Sequence, residues 1–275
     1  TSVRLRGAQR MQSRGALRRV MWAVSLCVSL GVLGAARLEA ACTKVEPGWL
    51  WNYDGAIAEK YRIRMTLVFG TDEIKGVYFY GSQLRDLRLK GRIEQGSRLL
   101  LDELDAAGKV TGRIDARFVT RDPKGRYGDS ELACEVIVGT WSKPDGTGAM
   151  TIYLSMEGGT AGSLTRRYGA IGVKDDEVVH RGAQRFWRAV SSDERATVAA
   201  SLRYPIRVML GGKVVRLAGP DDLLARYDAI FTPAYREAIG KALPRNMFVR
   251  DQGAMLGSGE VWFGADGRVT ALSNF

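Results

Sequence analysis

The sequence predicts two modules: an all-β antiparallel meander closing into a barrel, followed by an α+β region of helices packed on a curved antiparallel sheet. Two observations carry that reading. From about Trp49 to Leu154 apolar residues recur with period two, and short turns separate the segments. After about residue 180 the period becomes helical, interrupted by a short hairpin and followed by short strands near the chain end.

The β half begins clearly at Tyr61, Ile63, Met65, Leu67 and Phe69, which interleave with Arg62, Arg64 and Thr66 as a strand with one wet face. Comparable segments are expected over 74–80, 87–93, 98–104, 112–119, 132–141 and 150–155. The turns between them are rich in Gly, Asp and Ser, as at Gly70-Thr71-Asp72, Gln95-Gly96-Ser97 and Asp145-Gly146-Thr147. Hairpins joined without helices favour an up-and-down barrel, which leaves no open strand edge. Gly76, Gly91, Gly112 and Gly139 fall inside strands and are expected to make room for Tyr78, Tyr80, Phe118 and Trp141.

Residues 158–180 lack periodicity and read as a linker, with His180 solvated inside it. Phe186, Trp187 and Val190 then share a helical face. Ser192 is expected to cap a second helix with Val198, Ala199 and Leu202 as its buried stripe. Strands over 205–210 and 214–217 form a hairpin across Gly211-Gly212. Asp221 or Asp222 caps the next helix, and Pro233 ends it and opens another. Strands over 247–250, 260–263 and 269–272 close the chain.

The amino-terminal forty residues carry an address rather than a fold. Residues 1–10 precede Met11 and stand outside the expected domains, and residues 11–40 read as a signal peptide. Arg14, Arg18 and Arg19 precede an uncharged run from Val20 to Ala36, and Leu38-Glu39-Ala40 offers a cleavage site before Ala41. A periplasmic or secreted chain follows, divided into a β-barrel domain over 41–157, the 158–180 linker and an α+β domain over 181–275. The alternative is a retained anchor, although the apolar run sits at the short end of the roughly 17–25 residues a spanning helix needs.

Cleavage would remove Cys27 and leave Cys42 and Cys134, which in an oxidising compartment are expected to form a disulfide contributing about 4–5 kcal/mol. Lipidation of Cys42 is the competing reading, but Glu39 stands where a lipidation signal wants Leu; free thiols are a third.

Charge excludes less than it first suggests. The chain has 41 Lys+Arg against 30 Asp+Glu, a net of +11, yet residues 1–40 hold seven Arg and one Glu. That segment alone supplies +6, so +5 remains without a long basic run, and nucleic acid is not an expected partner. The expected partner is a small molecule or an envelope protein, with the membrane met only through the signal peptide or a lipid on Cys42.

Chemistry is sparse. With a single His and three Cys, a Ser-His-Asp triad and an imidazole metal site are not expected, nor is any cofactor. Gly257-Ser258-Gly259-Glu260 reads as a turn into a strand rather than a nucleophile elbow. Asp122 and Asp129, with Lys124 and Arg126 between them, form a poor calcium loop. Asp102, Glu103 and Asp105 read as a solvated strand end. The candidate pocket lies in the α+β half and is lined by Trp187, Tyr204, Arg207, Tyr227, Asp228, Glu260 and Trp262.

The second half resembles the nuclear transport factor two-like superfamily of cone-shaped α+β domains, as found in exported bacterial proteins. The resemblance rests on Phe186-Trp187-Arg188-Ala189, Tyr204-Pro205-Ile206, Tyr227-Asp228-Ala229-Ile230-Phe231-Thr232 and Gly259-Glu260-Val261-Trp262-Phe263. It implies a cone that can enclose a pocket, in a superfamily holding both enzymes and non-catalytic modules. The His–Asp arrangement of its dehydratases has no counterpart here. Gly76-Val77-Tyr78-Phe79-Tyr80, Leu89-Lys90-Gly91 and Gly139-Thr140-Trp141 are similar in general style to calycin-type and avidin-like barrels. The expectation is therefore an exported, non-enzymatic module that binds a ligand or an envelope protein. An isomerase, dehydratase or hydrolase with Asp228 or Glu260 as general base is the alternative. An inhibitor acting through the 121–129 loop is a third reading.

Overall fold

The structure, a computed structural model, describes residues 48–119, 122–125, 134–250 and 252–274. Eight strands come first: β1 (Trp49–Ile57), β2 (Tyr61–Phe69), β3 (Ile74–Tyr80), β4 (Leu87–Glu94), β5 (Arg98–Leu104), β6 (Val110–Phe118), β7 (Val136–Ser142) and β8 (Met150–Ala161). Each pairs antiparallel with the next, and β8 returns to β1, so the sheet closes. Alternation decides what fills it. Along β6, Gly112, Ile114, Ala116 and Phe118 are buried while Arg113, Asp115 and Arg117 are exposed. An eight-stranded barrel is narrow enough for side chains to fill. Here Tyr53, Ile63, Met65, Tyr78, Leu99 and Ile114 are among the residues that fill it.

The interior glycines serve two purposes rather than the single one expected. The Trp141 indole lies across Gly112, where a Cβ would meet the ring at 2.6–2.9 Å. At Gly139 the crowding comes instead from the Ala116 and Asp115 backbone of β6, so that glycine permits close strand approach.

The stretch expected as a linker is anchored. β8 runs on to Ala161, a 3-10 turn covers Gly169–Ile171, and α1 (Asp176–Ser191) starts before residue 180. Asp176 accepts backbone N–H bonds from Arg167 (2.7 Å) and Tyr168 (3.1 Å), and both of those side chains are buried. Polar anchors give no apolar period, which is why this segment reads as a linker.

The α+β region continues with α2 (Arg195–Ala200), β9 (Ile206–Leu210), β10 (Lys213–Leu217), α3 (Pro220–Leu224), α4 (Tyr227–Ile230) and α5 (Pro233–Lys241). A four-stranded antiparallel meander follows: β11 (Phe248–Arg250), β12 (Gly253–Leu256), β13 (Val261–Phe263) and β14 (Val269–Leu272). Val179, Ala183, Phe186 and Val190 of α1 pack into one core with Phe231, Ile239, Val261 and Phe263. The Phe186 ring centroid lies 5.8 Å from that of Phe263 and 6.3 Å from that of Phe231. Barrel and α+β region belong to one compact unit.

Several local expectations change. Ser192 is the C-cap of α1, and Glu194 takes the N-cap position of α2. Gly219 stands at the N-cap of α3 with Pro220 at N1, leaving Asp221 and Asp222 in the first turn, where negative charge suits the dipole. Thr232 caps α5 ahead of Pro233, accepting from the Tyr235 N–H at 3.3 Å. β12 is unexpected, since four residues between glycines carry too little pattern to read. His180 lies within α1 and is 2% exposed, because it follows Val179 on the face that packs inward.

Candidate functional site

A depression of mixed polar and apolar lining lies where the α+β region covers one flank of the barrel. On a barrel strand, residues out of phase with the core point outward. Arg64 and Thr66 of β2 do so, between the inward Ile63, Met65 and Leu67. Their cross-strand partners on β1 are Asp54 and Asn52. The β1–β8 register shifts beside Asn52, leaving Glu157 unpaired between Met156 and Gly158. A bulge there re-aims a side chain, and Glu157 is exposed at the rim of the depression. The meander supplies the opposite wall. Phe248 and Met255 are cross-strand partners and share a face, with Asn246 and Gly257 beside them. The cleft is open to solvent on one side and holds about 260 Å³.

Two guanidiniums sit in and behind this cleft. Arg167, 3% exposed, donates to Asn52 Oδ1 (3.0 Å) and Thr66 Oγ1 (2.6 Å), and Thr66 in turn donates to Asn52 Oδ1 (2.9 Å). Its side-chain hydrogen bonds are thus to neutral oxygens. Arg64 lines the cleft with its side chain 20% exposed, and its one ion pair places Nε 3.8 Å from Asp54 Oδ1. That Nε is buried without a hydrogen bond. Burial lowers the pKa of both arginines. The Asp54 and Glu157 charges partly offset this for Arg64, while the Arg64 charge further lowers Arg167. An unsatisfied buried donor costs about 1–3 kcal/mol, so this arrangement is not one that stability alone favours.

A clasp beside the cleft joins barrel to helix. Arg245 grips Asp86, from the β3–β4 connection, with two bonds of 2.8 and 2.9 Å and reaches Glu177 Oε1 at 2.9 Å. Asn246 donates to Asp86 through Nδ2 (3.0 Å) and to His180 Nε2 through its backbone N–H (3.3 Å). Because Nε2 accepts, the network assigns the His180 proton to Nδ1, which faces Glu177 Oε1 at 3.1 Å. Burial first, and the Arg245 charge second, lower the His180 pKa. For Glu177, burial alone would raise the pKa, but the His180 hydrogen bond and Arg245 outweigh it and hold the carboxyl low.

The residues expected to line a pocket in the α+β half take other places. Trp187, Tyr204 and Tyr227 pack against one core; Trp187 Nε1 and the Tyr227 hydroxyl are buried without hydrogen bonds, and Tyr204 donates to Ala199 O at 3.1 Å. Arg207 is exposed on β9. The Asp228 side chain is 70% exposed and bound by Arg195 (2.8 and 3.0 Å) and Arg236 (3.1 Å). The hydrogen bond from Arg195 is the main reason its carboxyl sits below the ordinary range. Glu260 Oε2 accepts from the Ser258 N–H at 2.6 Å, closing its own turn. Trp262 stands in the cross-strand row of Met255, next to the cleft without lining it.

A further expectation is corrected. Glu103 is buried rather than solvated, at 6% exposure, because it shares the inward phase of Leu99 and Leu101. Inside the barrel it accepts from the Tyr78 hydroxyl, Thr111 Oγ1 (2.6 Å) and Trp141 Nε1 (2.9 Å). Asp122 is also buried, accepting from the Lys124 N–H (2.8 Å) and the Tyr153 hydroxyl (2.9 Å). Asp129 and most of the 121–129 loop lie outside the described residues, as do the 11–40 segment and Cys42 with its expected pairing to Cys134.

Sequence reasoning missed the cleft because its walls lie far apart in the chain. The one local signal was the polar row Asn52, Arg64 and Thr66, which reads as a solvated face. No family model matches the chain, and no curated protein or solved structure matches it either.

Proposed function

We propose that this protein is an exported, non-enzymatic binding module of the cell envelope, and that it holds a small ligand in the cleft between barrel and α+β region. In this reading residues 11–40 direct export, Cys42 pairs with Cys134 in the mature chain, and the α+β region is a nuclear transport factor two-like cone. The observation that carries the binding site is Arg64, whose buried Nε has no hydrogen bond in a cleft walled by Phe248 and Met255. Binding pockets combine an apolar lining with a few convergent polar groups, and this cleft has that composition.

Catalysis through Asp228 draws no support from the geometry. A general base needs a pKa raised toward neutrality, whereas the arginines around Asp228 push it the other way. Native mass spectrometry of the chain expressed with residues 1–40 and recovered from the exported fraction tests the proposal. It should report a mature start at Ala41, the loss of two hydrogens that a disulfide entails, and a bound small molecule that Phe248→Ala releases. An intact amino terminus with no ligand on either protein would refute it.

A further inference from the structure

We infer that the junction cleft selects a small amphiphile with one oxyanion, the anion on Arg64 and a single short apolar tail along Phe248 and Met255. The inference rests on the binding reading above and adds the ligand's chemical class. Three observations carry it.

The first is supply of donors. Arg64 makes no hydrogen bond among the described residues, and its only ionic partner stands 3.8 Å from Nε. A guanidinium offers five N–H donors in a planar fork matched to carboxylate and phosphate oxygens. Behind it the Asn52 amide oxygen is already taken by Arg167 and Thr66. The carboxylate that lines the cleft, Glu157, stands at its exposed rim, while Arg64 deeper on that wall makes no hydrogen bond of its own among the described residues.

The second is the local charge. The Arg167 guanidinium is hydrogen-bonded to neutral oxygens, so its charge adds to that of Arg64, offset only in part by the more distant charges of Asp86 and Asp176. Asp54 lies opposite Arg64 on the neighbouring strand, and Glu157 stands at the exposed rim. Glu157 opposes an anion, but from water, where its effect is weakened. The third is shape. Phe248 and Met255 form one apolar wall, and about 260 Å³ falls just under the roughly 300–1,000 Å³ of drug-sized sites. A two-chain lipid does not fit that space; a single short tail does.

The test uses the full chain and four probes, octanoate, octanol, octylamine and inorganic phosphate, with affinities from titration calorimetry and the site located by amide chemical shifts. Octanoate should bind at least about tenfold more tightly than octanol or octylamine, the scale of one charge-assisted hydrogen bond. Inorganic phosphate, having no tail, should bind more weakly than octanoate. Arg64→Gln should remove octanoate's advantage and leave octanol unchanged. Glu157→Gln, at an exposed position, should tighten octanoate, and it keeps the test decisive if the Arg64 variant does not fold. Octanol or octylamine binding at the cleft as tightly as octanoate would overturn the anion class while the binding site stands. Phosphate binding as tightly as octanoate would overturn the amphiphile. If no probe shifts the cleft amides, the cleft itself fails as a site, and the inference fails with it.

Discussion

The barrel interior and the junction cleft both bury charged side chains, but they treat them differently. Glu103 meets three donors inside the barrel, so its oxygens are satisfied. Arg64 in the cleft has a desolvated Nε and only a long contact to Asp54. A buried polar group with a complete set of partners holds a structure together, while one left incomplete points to something the fold alone does not need.

The largest effect should come from breaking the satisfied side of that comparison. Glu103→Ala strands the Tyr78 hydroxyl, Thr111 Oγ1 and Trp141 Nε1 and should cost about 3–5 kcal/mol in denaturant unfolding, the scale of removing one partner of a buried charged network. Asp86→Ala comes next. It removes the bidentate partner of Arg245, whose side chain is 10% exposed, and should cost about 2–3 kcal/mol.

The clasp also gives the comparison a pH dependence. The folded-state pKa of His180 lies below its ordinary value of 6.5. The unfolded chain therefore takes up a proton first, and stability should be full above about pH 6.5 and fall as pH drops through the folded pKa. Glu177 is held below its ordinary 4.5, so its contribution is present above that value and is lost only at lower pH. His180→Gln should flatten the stability profile in the upper window and leave the lower one. An unchanged slope between pH 6.5 and 5 would remove His180 from the account. The smallest effect belongs to the cleft. Arg64→Met should change stability by less than about 1 kcal/mol, since it trades an unsatisfied donor for apolar contact.

Legibility followed the same division. The barrel could be read because rows such as Gly112, Ile114, Ala116 and Phe118 repeat every second residue. Glu103 keeps step with Leu99 and Leu101, so its burial was written in the phase, and only its charge argued otherwise. His180 likewise stands beside Val179 in a helical pattern continued by Ala183 and Phe186. The cleft was not readable. The outward phase of Arg64 is correct, but nothing near it in sequence says that Phe248 and Met255 will cover it. Such a site depends on tertiary docking, which a local period does not encode.

The central claim is that Arg64 serves a ligand rather than the fold, and one thermal-unfolding series tests it most directly. A ligand that binds only the native state raises the unfolding midpoint with its concentration. Octanoate should raise the midpoint of the unaltered protein progressively and leave Arg64→Met flat, with both starting at nearly the same temperature. Equal rises in the two proteins, or an Arg64→Met that melts far lower before any octanoate is added, would contradict it.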